Sequence, residues 1–150
     1  MANNMTTTGA TGLLKLLFQN IDFAGIGDAG GLLQSAVAGD LYISLHTALP
    51  TGGDQTSNEA AYDGYARQPV ARDNVEWTVT DEAVENAAHI DFPECAADPE
   101  TLTHVGIGTA SSGVGILLFS AALSSPLSVI VGSLPRIPAG ELDLAVGVND

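Results

Sequence analysis

The sequence predicts a mainly β fold, an antiparallel sandwich or barrel preceded by a short helical or irregular N-terminal segment. Two observations carry that expectation. Leu41, Ile43 and Leu45 alternate with Tyr42, Ser44 and His46, the period of two of a strand with one face packed on a core. From Asp40 onward, short runs of this kind are separated by Gly, Pro, Asn, Asp and Ser clusters, and no helical periodicity interrupts them.

Taken in order, residues 1–12 are rich in Asn, Thr and Gly, lack apolar periodicity, and read as a flexible arm. Between Gly12 and Phe23, the spacing of Leu13, Leu14, Leu16, Leu17 and Ile21 suits a short helix with a broad apolar face. Gly25, Gly27, Gly30 and Gly31 end it, and a second weak helical turn is expected from Leu32 to Val37 before Gly39. Residues 1–39 therefore read as an arm too apolar to be a solvated linker, and residues 40–150 as a β-sandwich domain. Expected strands are Leu41–His46, Tyr65–Ala71, Val75–Thr80, Ala87–Phe92, Thr103–Thr109, Ile116–Ser120, Leu127–Val131 and Leu142–Val148. Turn chemistry at Asp73-Asn74, Asp81-Glu82, Pro93–Pro99, Ser111–Gly113, Ser124–Pro126 and Pro138–Gly140 separates them.

With 150 residues, the chain can bury a core without disulfides or a metal, and the lone Cys95 has no intramolecular partner. Eighteen acids face only Lys15, Arg67, Arg72 and Arg136, for a net charge of -14. Nucleic acid is thereby excluded as a partner, since neutralising phosphates needs clustered cations. Twelve of the acids lie between Asp54 and Glu100, so the middle of the chain is expected to face solvent while the ends engage the core or a partner. The apolar run Leu13–Phe18 is too short to span a membrane, and Val105–Ile116 is punctuated by Gly106, Gly108, Gly113 and Gly115. A soluble, cytoplasmically made protein with no membrane partner is the expectation.

No catalytic constellation is legible. His46, His89 and His104 sit on expected strands without metal-ligand spacing. The stretch GIGTASSGVG, Gly106–Gly115, has neither a nucleophile elbow nor a complete dinucleotide fingerprint, and reads as a hairpin turn. Asp54, Asn58, Glu59 and Asp63 supply oxygen ligands but not the order of a calcium loop. A carbohydrate site wants aromatic platforms, and the chain has one Trp, three Tyr and four Phe, of which Trp77, Phe92 and Phe119 read as core. No cofactor, metal or catalytic residue is therefore assigned. Candidate interface residues are the apolar Leu13, Leu16, Leu17 and Phe18, with Tyr65 and Arg67, whose scarce guanidinium should meet a carboxylate within the chain or across an interface.

The segment Asp40–Arg67 carries a resemblance. Leu41–Ala48 (LYISLHTA), Gly53 with Asp54, Asn58 with Glu59, and Gly64–Arg67 (GYAR) are followed in register by Trp77-Thr78, Asn86–Phe92 (NAAHIDF), Thr103–Thr109 (THVGIGT), Gly115–Ser120 (GILLFS) and Ile137–Gly140 (IPAG). In these pieces, over residues 40–146, the chain resembles small virion structural proteins of tailed bacteriophages, described as head-decoration (cement) or tail-fibre-like proteins. The resemblance implies a jelly-roll-like sandwich and a non-enzymatic role. It implies first a cement protein on the outer capsid surface that stabilises the head lattice, with the major capsid protein and further copies of itself, as dimer or trimer, for partners. A tail or tail-fibre-associated protein is the alternative within the virion. From another class, a carbohydrate- or calcium-binding β-sandwich module is compatible with the same fold, because fold does not fix function.

Overall fold

The computed structural model describes residues 5–147. One helix, α1 (Thr7–Gln19), is followed by β1 (Asp40–His46), β2 (Gln68–Ala71), β3 (Trp77–Thr80), β4 (Ala83–Asn86), β5 (Ile90–Asp91), β6 (Glu100–Gly108), β7 (Leu117–Val129), β8 (Arg136–Ile137) and β9 (Asp143–Ala145). The architecture is mainly β with one short helix, and β1–β6, β6–β7, β3–β4 and β4–β9 all pair antiparallel. The strands group into sheets ordered β2-β1-β6-β7, β3-β4-β9 and β5-β8. Among the described residues these sheets hold four, three and two strands. Among the described residues no helix is long and apolar enough to cross a membrane.

By their contacts the residues form two compact units, one of Met1–Gly39, Ala71–His89 and Ile137–Asp150, the other of Asp40–Val70 and Ile90–Arg136. The residues before Asp40 thus share a unit with Ala71–His89 and with the stretch that starts at Ile137.

In the first unit, α1 begins five residues earlier than its apolar pattern suggested. Thr6, in an extended conformation, caps it by accepting the Gly9 amide on its hydroxyl, which recruits residues 7–12 of the expected arm into the helix. Residues 1–4 of that arm lie outside the described residues. Gly12 is tolerated inside the helix because the Phe23 ring occupies its side-chain position, 2.6 Å from where a Cβ would stand. Asn20 ends the helix with φ 53°. Beyond it the expected helical turn at Leu32–Val37 is absent; Leu32 bridges back to Phe23 instead. The helix buries Ala10, Leu14 and Phe18, and the Phe18 ring meets Trp77 edge to face, centroids 4.8 Å apart. Gln19 Nε2 donates to the Trp77 carbonyl at 2.8 Å. Arg72 closes the helix end, donating to the Leu16 and Leu17 carbonyls at 2.7 and 2.6 Å and to Ala38 at 2.9 Å, a cation set against the negative pole of the helix dipole.

The second unit is built on the sheet β2-β1-β6-β7. Leu41, Ile43 and Leu45 lie on one face of β1 and join Tyr62, Phe92, Leu102, Val105, Ile107 and Val129 among the buried apolar residues. The other face is covered as well, since Ser44 and His46 are also fully buried. A central strand with two covered faces replaces the half-solvated strand its alternation suggested. β7 joins two expected strands into one and accommodates the extra residues as bulges against β6, between Leu102 and His104 and between Ile107 and Gly108.

Candidate functional site

The Gly-Asp loop after β1 folds back over the strand and is fastened there by a single cation. Arg67 Nε donates to Glu59 Oε1 at 2.6 Å, and its NH2 to Glu59 Oε2 at 2.7 Å. The remaining donors reach across to the β6–β7 turn: NH1 to the Ala110 carbonyl at 2.9 Å and NH2 to the Gly113 carbonyl at 2.7 Å. The two side chains are 2 % and 16 % exposed. Glu59, through its hydrogen bonds and charge, raises the Arg67 pKa above its ordinary value, partly opposed by burial. Tyr65 completes the cluster by donating its hydroxyl to Glu59 Oε1 at 3.1 Å while accepting the Leu45 amide at 3.1 Å. Burial, foremost, holds its phenol well above the usual tyrosine range.

Around this latch the polar groups are used inward. Glu100 Oε1 accepts the amides of Ala61 and Tyr62 at 2.8 and 3.0 Å. The Tyr62 hydroxyl donates to the Pro93 carbonyl at 3.1 Å, and burial, foremost, pushes its pKa up to about 12. The Tyr65 ring stacks with Phe92, centroids 6.4 Å apart. Gln55 is fully buried and accepts the Ala110 amide at 2.9 Å. Its side chain explains two glycines of the GIG and GVG stretches, because a Cβ on Gly108 or Gly115 would stand 2.1 or 2.2 Å from its atoms.

Below the loop lies a serine–histidine pair. Ser44 Oγ is 2.8 Å from His46 Nε2, and His46 Nδ1 is 2.9 Å from the Ser57 carbonyl. A carbonyl only accepts, so Nδ1 carries the proton and Nε2 accepts from the Ser44 hydroxyl. That is the polarity of a nucleophile and its base, yet both residues are fully buried, and Gly106 packs so close that a Cβ there would be 2.7 Å from each. The hydroxyl is sealed from solvent, and the pair serves as a buried polar link that runs along β1 and ties it to the Ser57 carbonyl of the loop.

Burial lowers the His46 pKa, partly opposed by the hydrogen bond to Ser57. Above the ordinary histidine value the ring is neutral in folded and unfolded chains, and its contribution to stability is complete. As the pH falls below that value the unfolded chain takes up a proton that the buried ring refuses, so stability declines until the folded-state pKa is passed. The melting temperature of the wild type is therefore expected to drop more than that of His46→Gln when the pH is lowered from about 8 to about 5. Parallel pH profiles for the two proteins would contradict this role.

The oxygen ligands noted in the loop are dispersed. Asp54 Oδ1 accepts the Thr56 amide and hydroxyl at 2.7 and 2.8 Å, Asn58 donates to Leu49 at 3.0 Å, and Glu59 belongs to the latch. Among the described residues, no three His, Cys, Asp or Glu side chains are grouped to hold a metal ion. A shallow groove of about 100 Å³, lined by Thr78, Thr80, Ala83, Val84, Glu85 and Asp143, is smaller than ligand pockets ordinarily are.

The loop, latch and hairpin all fall inside one stretch, residues 32–145, that matches the family model described as Podophage GP4 fiber I protein gp80. The chain belongs to that family. Its membership makes it one of a family of phage virion structural proteins, as the sequence pieces from Leu41 to Gly140 implied. No curated protein matches the chain.

Of the residues singled out as a candidate interface, the structure turns two inward. Phe18 is fully buried on Trp77, and Arg67 is spent within its own unit on Glu59 and two carbonyls. Leu16, Leu17 and Tyr65 are half-buried, and Leu13 is 39 % exposed. Sequence reasoning did not find Glu59 as the partner of Arg67, nor Gln55, Glu100 or Arg72 as fasteners. The scarcity of cations was the available signal: with four in the chain, each buried guanidinium had to meet carboxylates or helix-end carbonyls.

Proposed function

We propose that the chain is a non-enzymatic structural component of the phage fibre apparatus, residing in the virion and acting as a building block. The family match over residues 32–145 carries this reading. The inward use of Arg67, Glu59, Tyr65 and the Ser44–His46 pair supports it, since a binding or catalytic site keeps such groups available to a ligand. A fibre family favours the tail-side alternative over the head-cement role, and the mechanism is assembly through surface complementarity.

Purified protein mixed separately with isolated heads and with tail-bearing particles should co-sediment with the tail-bearing fraction. Saturable binding to heads alone, at one copy or a few per capsomer, would instead establish the cement role.

A further inference from the structure

Asp98 and Pro99 lead into β6, and both are exposed. Theirs is the one Asp-Pro peptide bond in the sequence. Asp98 has φ 58°, in the left-handed region. Asp reaches that region more readily than most residues, but a following proline presses the residue before it toward extended backbone, with φ near about −120°. Asp98 is therefore held by its surroundings in a conformation that its proline neighbour opposes.

The chain is pinned on either side of this bond. Before it, the Asp63 amide donates to the Ala97 carbonyl at 3.0 Å, and the Ala96 amide donates to the Asp63 carbonyl at 2.9 Å. The Cys95 thiol donates to the same Ala97 carbonyl at 3.2 Å, while the Cys95 amide donates to the Ser133 carbonyl at 3.0 Å and the Cys95 carbonyl accepts the Gly132 amide at 2.8 Å. After it, Glu100 pairs with Val129 of β7, and its Oε1 accepts the Ala61 and Tyr62 amides. Two exposed residues between such fixed points cannot relax to extended backbone without undoing one of them. Among the described residues the Asp98 carboxylate has no hydrogen bond or ion pair. The titratable groups at this corner are the Cys95 thiol, whose pKa is raised by burial and then by the charges of Asp98, Glu100 and Asp63, and those two further acids.

We propose that the Asp98–Pro99 bond is a self-cleavage site at which the Asp98 carboxyl group is the nucleophile. One carboxyl oxygen bonds to the Asp98 backbone carbonyl carbon and closes a five-membered cyclic anhydride. The bond from that carbon to the Pro99 nitrogen breaks, and the carboxyl proton passes to the nitrogen, which leaves as a secondary amine. Water then opens the anhydride, its hydroxyl adding to one carbonyl carbon and its remaining hydrogen going to the released oxygen, so that Asp98 becomes a C-terminal residue. Attacking and attacked groups belong to one residue, so no encounter has to be organised. Breaking the bond frees Asp98 from its proline neighbour, so the strain of the folded turn favours cleavage. Because a carboxyl proton must reach the nitrogen, the reaction belongs to mild acid, where a carboxyl group carries its proton part of the time. A nick here leaves β6 paired between β1 and β7, and residues 1–98 and 99–150 stay together until the chain is unfolded. The inference stands independently of whether the protein sits on tail or head.

Mass spectrometry of the purified full-length protein, kept folded at pH about 5 with its far-ultraviolet spectrum recorded alongside, tests it. Two species, residues 1–98 and 99–150, are expected to accumulate about tenfold faster than in the same protein held unfolded in guanidinium chloride at that pH. Size-exclusion elution of the folded sample should not change as they form. Asp98→Asn keeps a residue at home in the left-handed region but removes the nucleophile, and Pro99→Ala restores an ordinary amide and lifts the constraint on Asp98. Both positions are exposed, so neither change opens the core, and both variants should stay intact. An uncut wild type, cleavage as fast in guanidinium chloride as in the folded chain, or cutting of Asp98→Asn at the wild-type rate would each overturn the proposal.

Discussion

Replacing Arg67 with Ala is expected to destabilise the second unit by about 3–5 kcal/mol, the range for breaking one side of a buried ion pair. The loss is large because three partners, one carboxylate and two carbonyls, are stranded together. Glu59 keeps its charge at 16 % exposure with only the Tyr65 hydroxyl still donating to it, and the Ala110 and Gly113 carbonyls lose the guanidinium that bound them. For a chain of this size the melting temperature should fall by roughly 6–20 °C. Arg67→Lys should recover little, since an ammonium on a flexible stem cannot reproduce a fork that serves one carboxylate and two carbonyls at once. Thermal unfolding of the three proteins measures this directly, and a shift under about 1 kcal/mol, the usual value of an exposed pair, would show that the latch is not a stabilising element.

Phe18→Ala should cost about 3–5 kcal/mol, the range for truncating a buried aromatic to Ala. The ring is fully buried and meets Trp77 at 4.8 Å, so its removal opens a cavity beneath α1 and leaves the indole without its edge-to-face partner. Leu13→Ala, at a side chain 39 % exposed, should cost far less. Chemical denaturation of both variants separates a core role from an interface role: an interface residue would leave the stability of the monomer unchanged and weaken only assembly. The same reasoning predicts that the segment before residue 39 cannot be deleted without loss of folding in the first unit, because α1 supplies three buried residues to it.

How far the fold could be read from the residues depended on what each face packs against. β1 was legible from its alternation, and the hairpin around Ser111–Gly115 from its glycines. The burial of Ser44 and His46 was not, because alternating polar residues look the same whether they meet water or a satisfied hydrogen-bond partner. β4, Ala83–Asn86, was missed because Glu85 and Asn86 weaken its strand signal; Asn86 is nonetheless buried, donating to Ala88 and Pro138 and accepting the Leu142 amide. The strand expected at Tyr65–Ala71 begins only at Gln68, since Tyr65 and Arg67 are diverted into the latch. Two separate strands were expected where β7 runs unbroken, because Ser124 to Pro126 carry turn chemistry that the structure absorbs as a bulge. α1 was placed too late because capping by Thr6 lies outside the apolar pattern that revealed the helix.

Imaging of purified particles by electron cryo-microscopy, comparing wild-type phage with phage that lack this chain, tests the fibre assignment most directly. Density that disappears from the fibres or the tail, with the head lattice intact, is the result the account predicts. Density lost from the capsid surface, with the tail and fibres complete, would contradict it.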